Sequence, residues 1–264
     1  MAGLADVNSI NALIVGANRG IGFGFVQKLL QDDRIDYPEG GTATHRLFAA
    51  HREPVTPELS QLAAQYPDRL ILVPMDVTDE DAIAAGIQQI RESVNQLHLV
   101  IYCVGLLHNE EIQPEKGLQQ ITTEPLLRYF QVNSIGAILL AKHLLPLLKH
   151  SEPSVFASIS AKVGSIGDNQ LGGWYGYRAS KAALNMFMKN AAIEYSRKSP
   201  KTIVALLHPG TTDTRLSQPF QRNVPPEKLF SVDRTVSQLL AVINSLQIEN
   251  SGQFFSWDGS ELPW

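Results

Sequence analysis

A glycine-rich segment reads Gly16-Ala17-Asn18-Arg19-Gly20-Ile21-Gly22 and directly follows the apolar run 11–15. A helical pattern begins within it and continues to about residue 30. Glycines in this setting permit a tight turn, a close approach of the main chain to a pyrophosphate, and a helix N-terminus directed at negative charge. A glycine-rich turn without a ligand is the alternative. The strand and helix on either side favour a dinucleotide site built from this segment.

Short apolar runs alternate with longer helical patterns along the rest of the chain. We expect strands at 11–15, 47–50, 70–73, 99–104, 155–160, 202–208 and 253–256. The helices between them are expected at 21–30, 57–66, 78–94, 125–148, 176–197 and 232–246. Continuous apolar strands separated by helices are typical of a parallel sheet that is covered on both faces. The sequence therefore predicts a doubly wound α/β fold in a single domain that spans residues 1–264.

Four local features refine this outline. Thr78-Asp79-Glu80-Asp81 predicts a capping box at the start of the third helix, and Pro146 predicts a bend in the long helix. The connection 32–44 is long and contains glycine and proline, so we expect a surface excursion rather than a domain boundary. The segment 217–228, rich in proline and glutamine, is a second candidate for flexibility.

The composition favours a globular protein of the cytoplasm. The chain has 264 residues, of which 44% are apolar and 18% charged, and a net charge of -4 argues against nucleic acid or an anionic membrane as the main partner. Cys103 is the single cysteine, so the chain forms no internal disulfide and suits a reducing compartment. Residues 1–10 contain no signal peptide pattern, and no stretch approaches the ~18 apolar residues of a membrane span.

Other classes of site find no support in the sequence. Seven histidines show no spacing typical of metal ligands, so we expect no metal site. A nucleophile elbow of the Gly-x-Ser-x-Gly type is absent, which argues against a hydrolase. Cys103 and His208 each lie at the end of a predicted strand, where a packing role is expected; His208 at the cleft remains an alternative.

A tyrosine and a lysine four residues apart, Tyr177 and Lys181, lie on one face of a predicted helix. There the ammonium can stabilise the phenolate and lower the tyrosine pKa from its solution value near 10. A pKa of roughly 7 requires about 4 kcal/mol, which one close cation and an oxidised nicotinamide could supply. Such a tyrosine donates and accepts protons in carbonyl/alcohol chemistry. The pattern also occurs by chance, and its order and distance from the glycine segment give it weight.

The residues after the second and third strands bear on which dinucleotide is bound. A NAD site places a carboxylate at the end of the second strand, where it bonds the ribose hydroxyls. Here Arg52 follows that strand and Arg19 lies in the glycine segment, so two guanidiniums favour the 2′-phosphate of NADP. Glu53 is adjacent and keeps NAD possible. Asp76-Val77 ends the third strand and is expected at the adenine; a helix-entry aspartate is the alternative.

Together these features resemble the short-chain dehydrogenase/reductase family across nearly the whole chain, and most closely its branch of C-factor and sniffer-like carbonyl reductases. The likeness to that branch rests on four stretches, Ser160-Ala161-Lys162-Val163-Gly164-Ser165, Asp168-Asn169, Gly172-Gly173-Trp174-Tyr175-Gly176-Tyr177 and Trp257-Asp258-Gly259…Trp264. The resemblance implies a Rossmann-like sheet of about seven parallel strands, a cofactor across the strand C-termini, and hydride transfer.

The resemblance also implies roles for individual residues. Tyr177 matches the acid/base, and Lys181 matches the residue that binds the nicotinamide ribose and lowers the tyrosine pKa. Asn133 matches the asparagine that anchors a proton-relay water to the long helix. The loop that contacts the nicotinamide carboxamide is matched by Pro209-Gly210-Thr211-Thr212-Asp213-Thr214, with Thr212 and Thr214 as the contacts. Tyr175 has Ala179 in the lysine position, so Tyr177 is the better choice.

Two stretches depart from the family pattern. The family carries Asn-Asn-Ala-Gly after the fourth strand, whereas this chain has Tyr102-Cys103-Val104-Gly105. Val104 and Gly105 are still expected to contact the cofactor through the main chain. The family serine that hydrogen-bonds the substrate carbonyl is replaced by Ala161.

Two neighbouring serines could replace the missing one. Ser160 lies one residue early, on the opposite side of an ideal strand, and Ser165 follows the next glycine. We expect Ser160 to serve, with Ser165 as the alternative. Loss of the donor would cost on the order of a hundredfold in rate.

The sequence thus predicts an NADP-dependent carbonyl reductase or alcohol dehydrogenase acting on a small carbonyl or alcohol substrate. A dinucleotide-binding regulatory protein with little turnover is the alternative, and a redox-neutral epimerase or dehydratase is a further one.

Family resemblance implies a homodimer or homotetramer through the long helix and the Tyr177 helix. The face formed by Ala182, Ala183, Met186, Phe187 and Asn190 is compatible with that interface and with core packing. Aromatic residues near the cleft hint at an apolar or aromatic substrate, namely Trp174, Tyr175 and Phe220.

Overall fold

The computed structural model describes residues 4, 7, 10–31 and 46–264. Seven parallel strands form one sheet in the order β3-β2-β1-β4-β5-β6-β9. These strands are β1 Ala12–Val15, β2 Leu47–His51, β3 Leu70–Pro74, β4 Leu99–Tyr102, β5 Ser154–Ile159, β6 Thr202–His208 and β9 Phe254–Ser256. Two short strands, β7 Thr211–Thr212 and β8 Leu229–Phe230, pair separately. The predicted doubly wound α/β sheet is confirmed.

Helices cover both faces of the sheet because its strands are apolar on both faces. The α-helices are α1 Gly20–Leu29, α2 Pro57–Gln65, α3 Glu80–Ser93, α4 Thr123–Phe130, α5 Gly136–Leu148, α6 Tyr175–Lys198 and α7 Val232–Ser245. One apolar core joins α1, α2 and α7 to the sheet, and a second joins α3, α5 and α6 to the opposite face. Every residue of β1, β2, β4 and β5 is buried.

The strand order reverses at β1, and this reversal positions the site. β1 pairs with β2 on one side and with β4 on the other, so Val15 lies opposite both Ala50 and Tyr102. The helices that follow β1 and β4 lie on opposite faces, which leaves a crevice at the carboxyl ends of these strands, where ligands bind in such sheets. The glycine segment and the residues after β4 therefore meet at one edge.

The long helix differs from its prediction. It begins at Thr123 instead of residue 125, and its irregularity is a π-helical turn at Gln131–Ile135 between α4 and α5, whereas Pro146 lies inside α5. The bend expected at Pro146 stays a prediction. Asn133 lies at the centre of this turn, and its side chain is hydrogen-bonded outside the helix. Single π-turns inside α-helices are frequent at functional sites.

The cap of α3 also differs, since the predicted capping box at Thr78 is wrong. The N-cap is Asp79, whose side chain accepts hydrogen bonds from the main-chain N–H groups of Asp81 and Ala82 at 2.9 and 3.4 Å. Thr78 instead precedes the helix and is bonded to Asp76, to which its N–H and hydroxyl donate at 2.9 and 2.8 Å.

Four segments singled out in the sequence have different outcomes. The connection 32–44 and most of the N-terminal ten residues lie outside the described residues. The segment 217–228 contains two 3₁₀ turns, Gln218–Asn223 and Pro226–Lys228, and its flexibility stays a prediction. The stretch Thr123–Leu148 is long and apolar enough to cross a membrane, and its most apolar window has a mean hydropathy of 1.3, but 56% of that window is buried, as in the core helix of a globular fold.

Candidate active site

The glycine segment forms a turn that only glycine accommodates. Gly16 and Gly20 have φ values of +88° and +56°, in the left-handed region. A side chain on Gly22 would overlap the main-chain oxygen of Gly16. α1 begins at Gly20, and Arg19 at its N-cap makes no side-chain capping bond. The N-terminus of α1 and the closely packed turn therefore fit a pyrophosphate, which takes up the N–H groups that a capping side chain would otherwise satisfy.

Asn18 fixes this turn to the chain that follows β2. Its amide donates to the main-chain oxygens of Arg52 and Pro54 at 2.9 and 3.1 Å, and its Oδ1 accepts from Thr56 N at 3.0 Å. The side chain is thus committed to the protein, so the cofactor contact predicted for Asn18 would be made by its main chain.

The two arginines expected at a 2′-phosphate are both exposed at this edge. Arg52 lies near Asp76. Burial opposes ionisation of Asp76, but the hydrogen bonds from Thr78 and the positive charges of Arg52 and Arg128 together hold the pKa of this carboxyl below its usual range. Arg52 and Asp76, two residues predicted at the adenosine end of the cofactor, are therefore neighbours.

Glu53, the residue that kept NAD possible, is turned into its own loop. Its carboxylate accepts from Val55 N at 3.2 Å and lies 4.0 Å from Nδ1 of His51. A carboxylate that is committed in this way is a weaker candidate for the ribose hydroxyls than a free one would be.

Tyr177 and Lys181 lie on one buried face of α6, as predicted. The ammonium of Lys181 donates to the main-chain oxygen of Ile159 at 3.0 Å and lies 6.0 Å from the ring centroid of Tyr177. Burial lowers the pKa of Lys181 to about 8 and raises the pKa of Tyr177 above its ordinary value. The lowered tyrosine pKa expected from the sequence is therefore not produced by this chain alone, because burial disfavours the charged phenolate.

Asn133 is fully buried and links the chain after β4 to α6. Its Oδ1 accepts from Leu106 N at 2.6 Å, and its Nδ2 donates to Leu106 O and to Ser180 Oγ, both at 2.9 Å. Ser180 Oγ in turn donates to the main-chain oxygen of Tyr177 at 2.8 Å. The asparagine is therefore rigidly placed beside the helix that carries the tyrosine.

Gly105 shows how close these groups are. A Cβ atom built on it would lie 3.7 Å from Lys181 Nζ and 3.9 Å from Asn133 Oδ1. The structure thus brings Asn133, Tyr177 and Lys181 together at the carboxyl end of β4, in the crevice that also receives the glycine segment. Val104 packs against that segment, since a side chain on Gly16 would meet its Cγ2 at 3.0 Å.

The structure does not bring Ser160 into this group. Its hydroxyl donates to Asn185 Oδ1 at 2.6 Å, and Asn185 lies eight residues beyond Tyr177 in α6, about 12 Å along the helix axis. The end of β5 thus turns the Ser160 side chain towards α6, and the catalytic role expected for Ser160 stays a prediction. Ser165 is buried and accepts from Asp168 N at 3.1 Å. Ala161 itself packs in the apolar cluster that contains Tyr177.

Aromatic side chains pack against Tyr177 and form an aromatic wall of Trp174 and Phe220. The ring of Trp174 contacts those of Tyr177 and Phe220, with centroids 6.2 and 4.9 Å apart. His108 packs edge-on against Phe220 at 5.7 Å, and its Nε2 donates to the main-chain oxygens of Arg215 and Leu216. Three loops therefore meet over the tyrosine, and they present an apolar surface to a substrate.

The carboxamide loop is only partly as expected. Thr214 lies over the glycine segment, since a side chain on Gly20 would meet its Cγ2 at 3.5 Å. The hydroxyl of Thr212 instead shares a 2.8 Å hydrogen bond with Thr235 of α7. Gly210, after Pro209, has a φ of +72° and packs against the ring of Phe230. Thr214 is thus better placed than Thr212 for a side-chain contact with the cofactor.

The remaining titratable groups near the crevice behave as packing residues. Burial lowers the pKa of His208 to about 4, and its Nδ1 accepts a hydrogen bond from Lys162 N at 3.2 Å. Burial raises the pKa of the Cys103 thiol, so this cysteine is a poor nucleophile. Within the described residues, no group of three or more His, Cys, Asp or Glu side chains could hold a metal ion.

The comparisons with known proteins agree with this geometry. A family model described as short chain dehydrogenase matches residues 11–225. The chain therefore belongs to the short-chain dehydrogenase family, as its resemblance to that family predicted.

Individual relatives include carbonyl reductases and the C-signal protein, as the resemblance to the C-factor and sniffer-like branch predicted. An NADPH-bound carbonyl reductase from chicken fatty liver superimposes with a TM-score of 0.83 at 30% identity, over 97% of this chain and all of that one. The carbonyl reductase Sniffer of D. melanogaster gives 0.81 at 26% identity, with the same coverage. The C-signal protein of Myxococcus xanthus is 33% identical over 148 residues, which are 56% of this chain and 84% of that protein.

Proposed function

We propose that the protein is an NADP-dependent reductase that transfers hydride between NADP(H) and a small carbonyl or alcohol compound. The observation that carries this proposal is the meeting of Tyr177, Lys181 and Asn133 beside Gly105, at the edge where the glycine segment opens α1. The NADPH in the chicken carbonyl reductase structure supports the choice of cofactor.

Each residue then has a definite task. The nicotinamide supplies or accepts the hydride when it is bound. Tyr177 donates a proton to the carbonyl oxygen in the direction of reduction and removes one from the alcohol in the reverse direction. Lys181, with a pKa of about 8, is mostly protonated at neutral pH and binds ribose hydroxyls. Together with a bound oxidised nicotinamide, its positive charge would lower the pKa of Tyr177. Asn133 holds the chain after β4 and the tyrosine helix in register.

At the other end of the cofactor, Arg19 and Arg52 bind the 2′-phosphate of NADP, and Asp76 with Val77 borders the adenine. Both arginines are exposed and Glu53 is engaged in its own turn, which supports NADP over NAD. A guanidinium forms two parallel hydrogen bonds with a phosphate, so it distinguishes the two cofactors better than a lysine would.

The substrate side of the site is apolar. Ala161, Trp174 and Phe220 pack around Tyr177, while Ser160 donates to Asn185 and Ser165 accepts from Asp168 N. We infer that the substrate is an apolar or aromatic carbonyl compound whose oxygen is held by Tyr177 without a hydroxyl donor at position 161. A missing donor of this kind lowers the rate on the order of a hundredfold, so modest turnover is expected.

The alanine at position 161 also supports a second candidate function. A dinucleotide-binding regulatory protein would keep the glycine segment and Lys181 but would not need the hydroxyl that Ala161 lacks. Tight binding of NADPH without turnover of any carbonyl compound would favour this function over a reductase.

We further propose that the chain forms a homodimer or homotetramer through α6 and the long helix. On α6, Met186 is 61% exposed and Ile193 45% exposed, and on the long helix Leu127 is 60% exposed. The face predicted from the sequence is exposed or half-buried throughout, so core packing does not account for it. Sedimentation of the protein with and without Met186→Glu tests this interface. A cytoplasmic location is consistent with the single cysteine.

The decisive experiment follows NADPH oxidation by the pure protein across a panel of aldehydes, quinones and diketones. NADH and the variant Tyr177→Phe serve as controls. We expect turnover that prefers NADPH and is lost in the variant. Normal turnover by Tyr177→Phe would refute the assigned acid/base, and bound NADPH without turnover would favour the regulatory function.

A further inference from the structure

Glu115 is a buried acidic residue that the proposed reaction does not use. It lies in the loop between β4 and α4, and only 4% of its surface is exposed. Acidic side chains are seldom buried to this extent unless they have a partner. The groups that contact its carboxylate therefore indicate what this residue does.

The contacts of Glu115 are all directed at the beginning of α6. Its Oε2 accepts a hydrogen bond from Gly176 N at 3.2 Å, and its main-chain oxygen accepts one from Trp174 N. Oε1 has no hydrogen-bond partner among the described residues. A side chain on Gly176 would lie 3.0 Å from Oε1 and would overlap the ring of Tyr129. The helix thus packs directly on the carboxylate.

The beginning of α6 has no cap of its own. Gly172, Gly173 and Trp174 have φ values of +66°, +65° and +50°, and Trp174 at the N-cap makes no side-chain capping bond. A left-handed conformation is unfavourable for a residue such as tryptophan, whose Cβ crowds the following carbonyl oxygen. N–H groups in the first turn of a helix need acceptors, and a negative charge is favourable there. Glu115, about 60 residues earlier in the chain, places a carboxylate at this helix end, and its Oε2 accepts the hydrogen bond from Gly176 N.

The residues held in this way surround the reacting oxygen. Trp174 contacts the rings of Tyr177 and Phe220, and Tyr177 lies in the first turn of α6. Tyr129, which also contacts Tyr177, has a pKa raised by burial and by the charge of Glu115. A shift of the first turn would therefore move both the acid/base and the aromatic wall.

We propose that Glu115 is a positioning residue. It caps α6 from outside and holds the left-handed turn at Trp174, so that Tyr177 and the aromatic wall are fixed relative to the substrate carbonyl. This role rests on the proposed reductase function for its effect on turnover, but its effect on Trp174 is independent of any activity.

The test compares Glu115→Ala, which removes the acceptor, with Glu115→Gln, which keeps an oxygen for Gly176 N–H. Glu111→Ala, in the exposed part of the same loop, is the matched control. We expect Glu115→Ala to lower kcat about tenfold to a hundredfold, with the Kd for NADPH unchanged, because small displacements of a catalytic group have effects of this size. Glu115→Gln should stay within about threefold of the wild type, since it keeps the hydrogen-bond acceptor at the helix N-terminus.

A second readout does not depend on turnover. The chain has three tryptophans, so Trp257→Phe with Trp264→Phe leaves the fluorescence of Trp174 alone. In this background Glu115→Ala should increase quenching of Trp174 by acrylamide, and Glu115→Gln should not. Unchanged kcat and quenching in Glu115→Ala would overturn the role, as would a lowered Tm with unchanged kcat. Equal damage by both variants would also overturn it. If the wild type reduces no carbonyl compound, the proposed function fails, and quenching alone decides the role of Glu115.

Discussion

Ala161→Ser tests the most unusual feature of the site, an apolar side chain where the family has a hydroxyl donor. Ala161 is half-buried in extended backbone beside Tyr177, with φ and ψ of -149° and 141°, so a serine there needs no left-handed conformation. Removal of one donor from an oxyanion site costs about 2.7–4 kcal/mol in enzymes where it has been measured. Installing one beside Tyr177 should therefore raise kcat, and we expect a gain of about tenfold to a hundredfold.

The assay is steady-state NADPH oxidation with a carbonyl compound that the wild type reduces. The added hydroxyl lies among apolar neighbours, so a loss of up to about 1–3 kcal/mol of stability is expected without substrate. Ala179→Ser, an exposed substitution on α6, is the matched control and should leave kcat unchanged. In the double variant Ala161→Ser/Tyr177→Phe the gain should disappear. A folded Ala161→Ser protein that binds NADPH but shows no increase in kcat would refute the placement of the substrate oxygen beside Ala161.

Three further predictions concern the cofactor site. Gly22→Ala should abolish NADPH binding, since its methyl group would overlap the main-chain oxygen of Gly16; isothermal titration checks this, and tight binding by the variant would contradict the fit of the turn. Arg52→Glu should reduce kcat/KM for NADPH by at least about tenfold relative to NADH, because a guanidinium–phosphate pair is replaced by repulsion; an unchanged ratio would exclude Arg52 from the 2′-phosphate site. The third prediction concerns pH. Lys181 has a folded pKa of about 8, below its ordinary value of 10.5, so the unfolded chain binds more protons between these values. The stability of the cofactor-free protein should therefore gain about 3 kcal/mol from this group as pH rises from 8 to 10.5, and this contribution should be missing in Lys181→Met. Denaturant unfolding at several pH values measures the difference, and parallel curves for the two proteins would contradict it.

The fold was predictable because its signals are local and repeated. Continuous apolar runs mark strands that are buried on both faces, and the glycine segment marks the one turn where the main chain must approach a ligand. The spacing of Tyr177 and Lys181 placed both on one face of α6 for the same reason, since helical periodicity alone determines it. The order of these features along the chain located the crevice.

Other features depend on contacts between distant segments. The π-turn at Asn133 forms around hydrogen bonds to Leu106, and Ser180, which completes this network, has no distinctive pattern in the sequence. Ser160 is directed to Asn185 by the way in which β5 leaves the sheet. Glu115 is a single acidic residue in a loop, and only its burial against α6 distinguishes it. The direction of the pKa shift of Tyr177 could not be predicted because it is caused by burial, which the sequence does not quantify.

The central claim is that hydride passes between a nicotinamide and a carbonyl carbon while Tyr177 handles the proton. The most direct measurement follows the label from NADPH deuterated at C4 of the nicotinamide into the alcohol product of a carbonyl compound that the protein reduces. We predict that one face of the nicotinamide delivers deuterium to the former carbonyl carbon, and that Tyr177→Phe binds NADPH with unchanged Kd but transfers the label at least about a hundredfold more slowly. Product without label from either face, or transfer at the wild-type rate by Tyr177→Phe, would contradict the account.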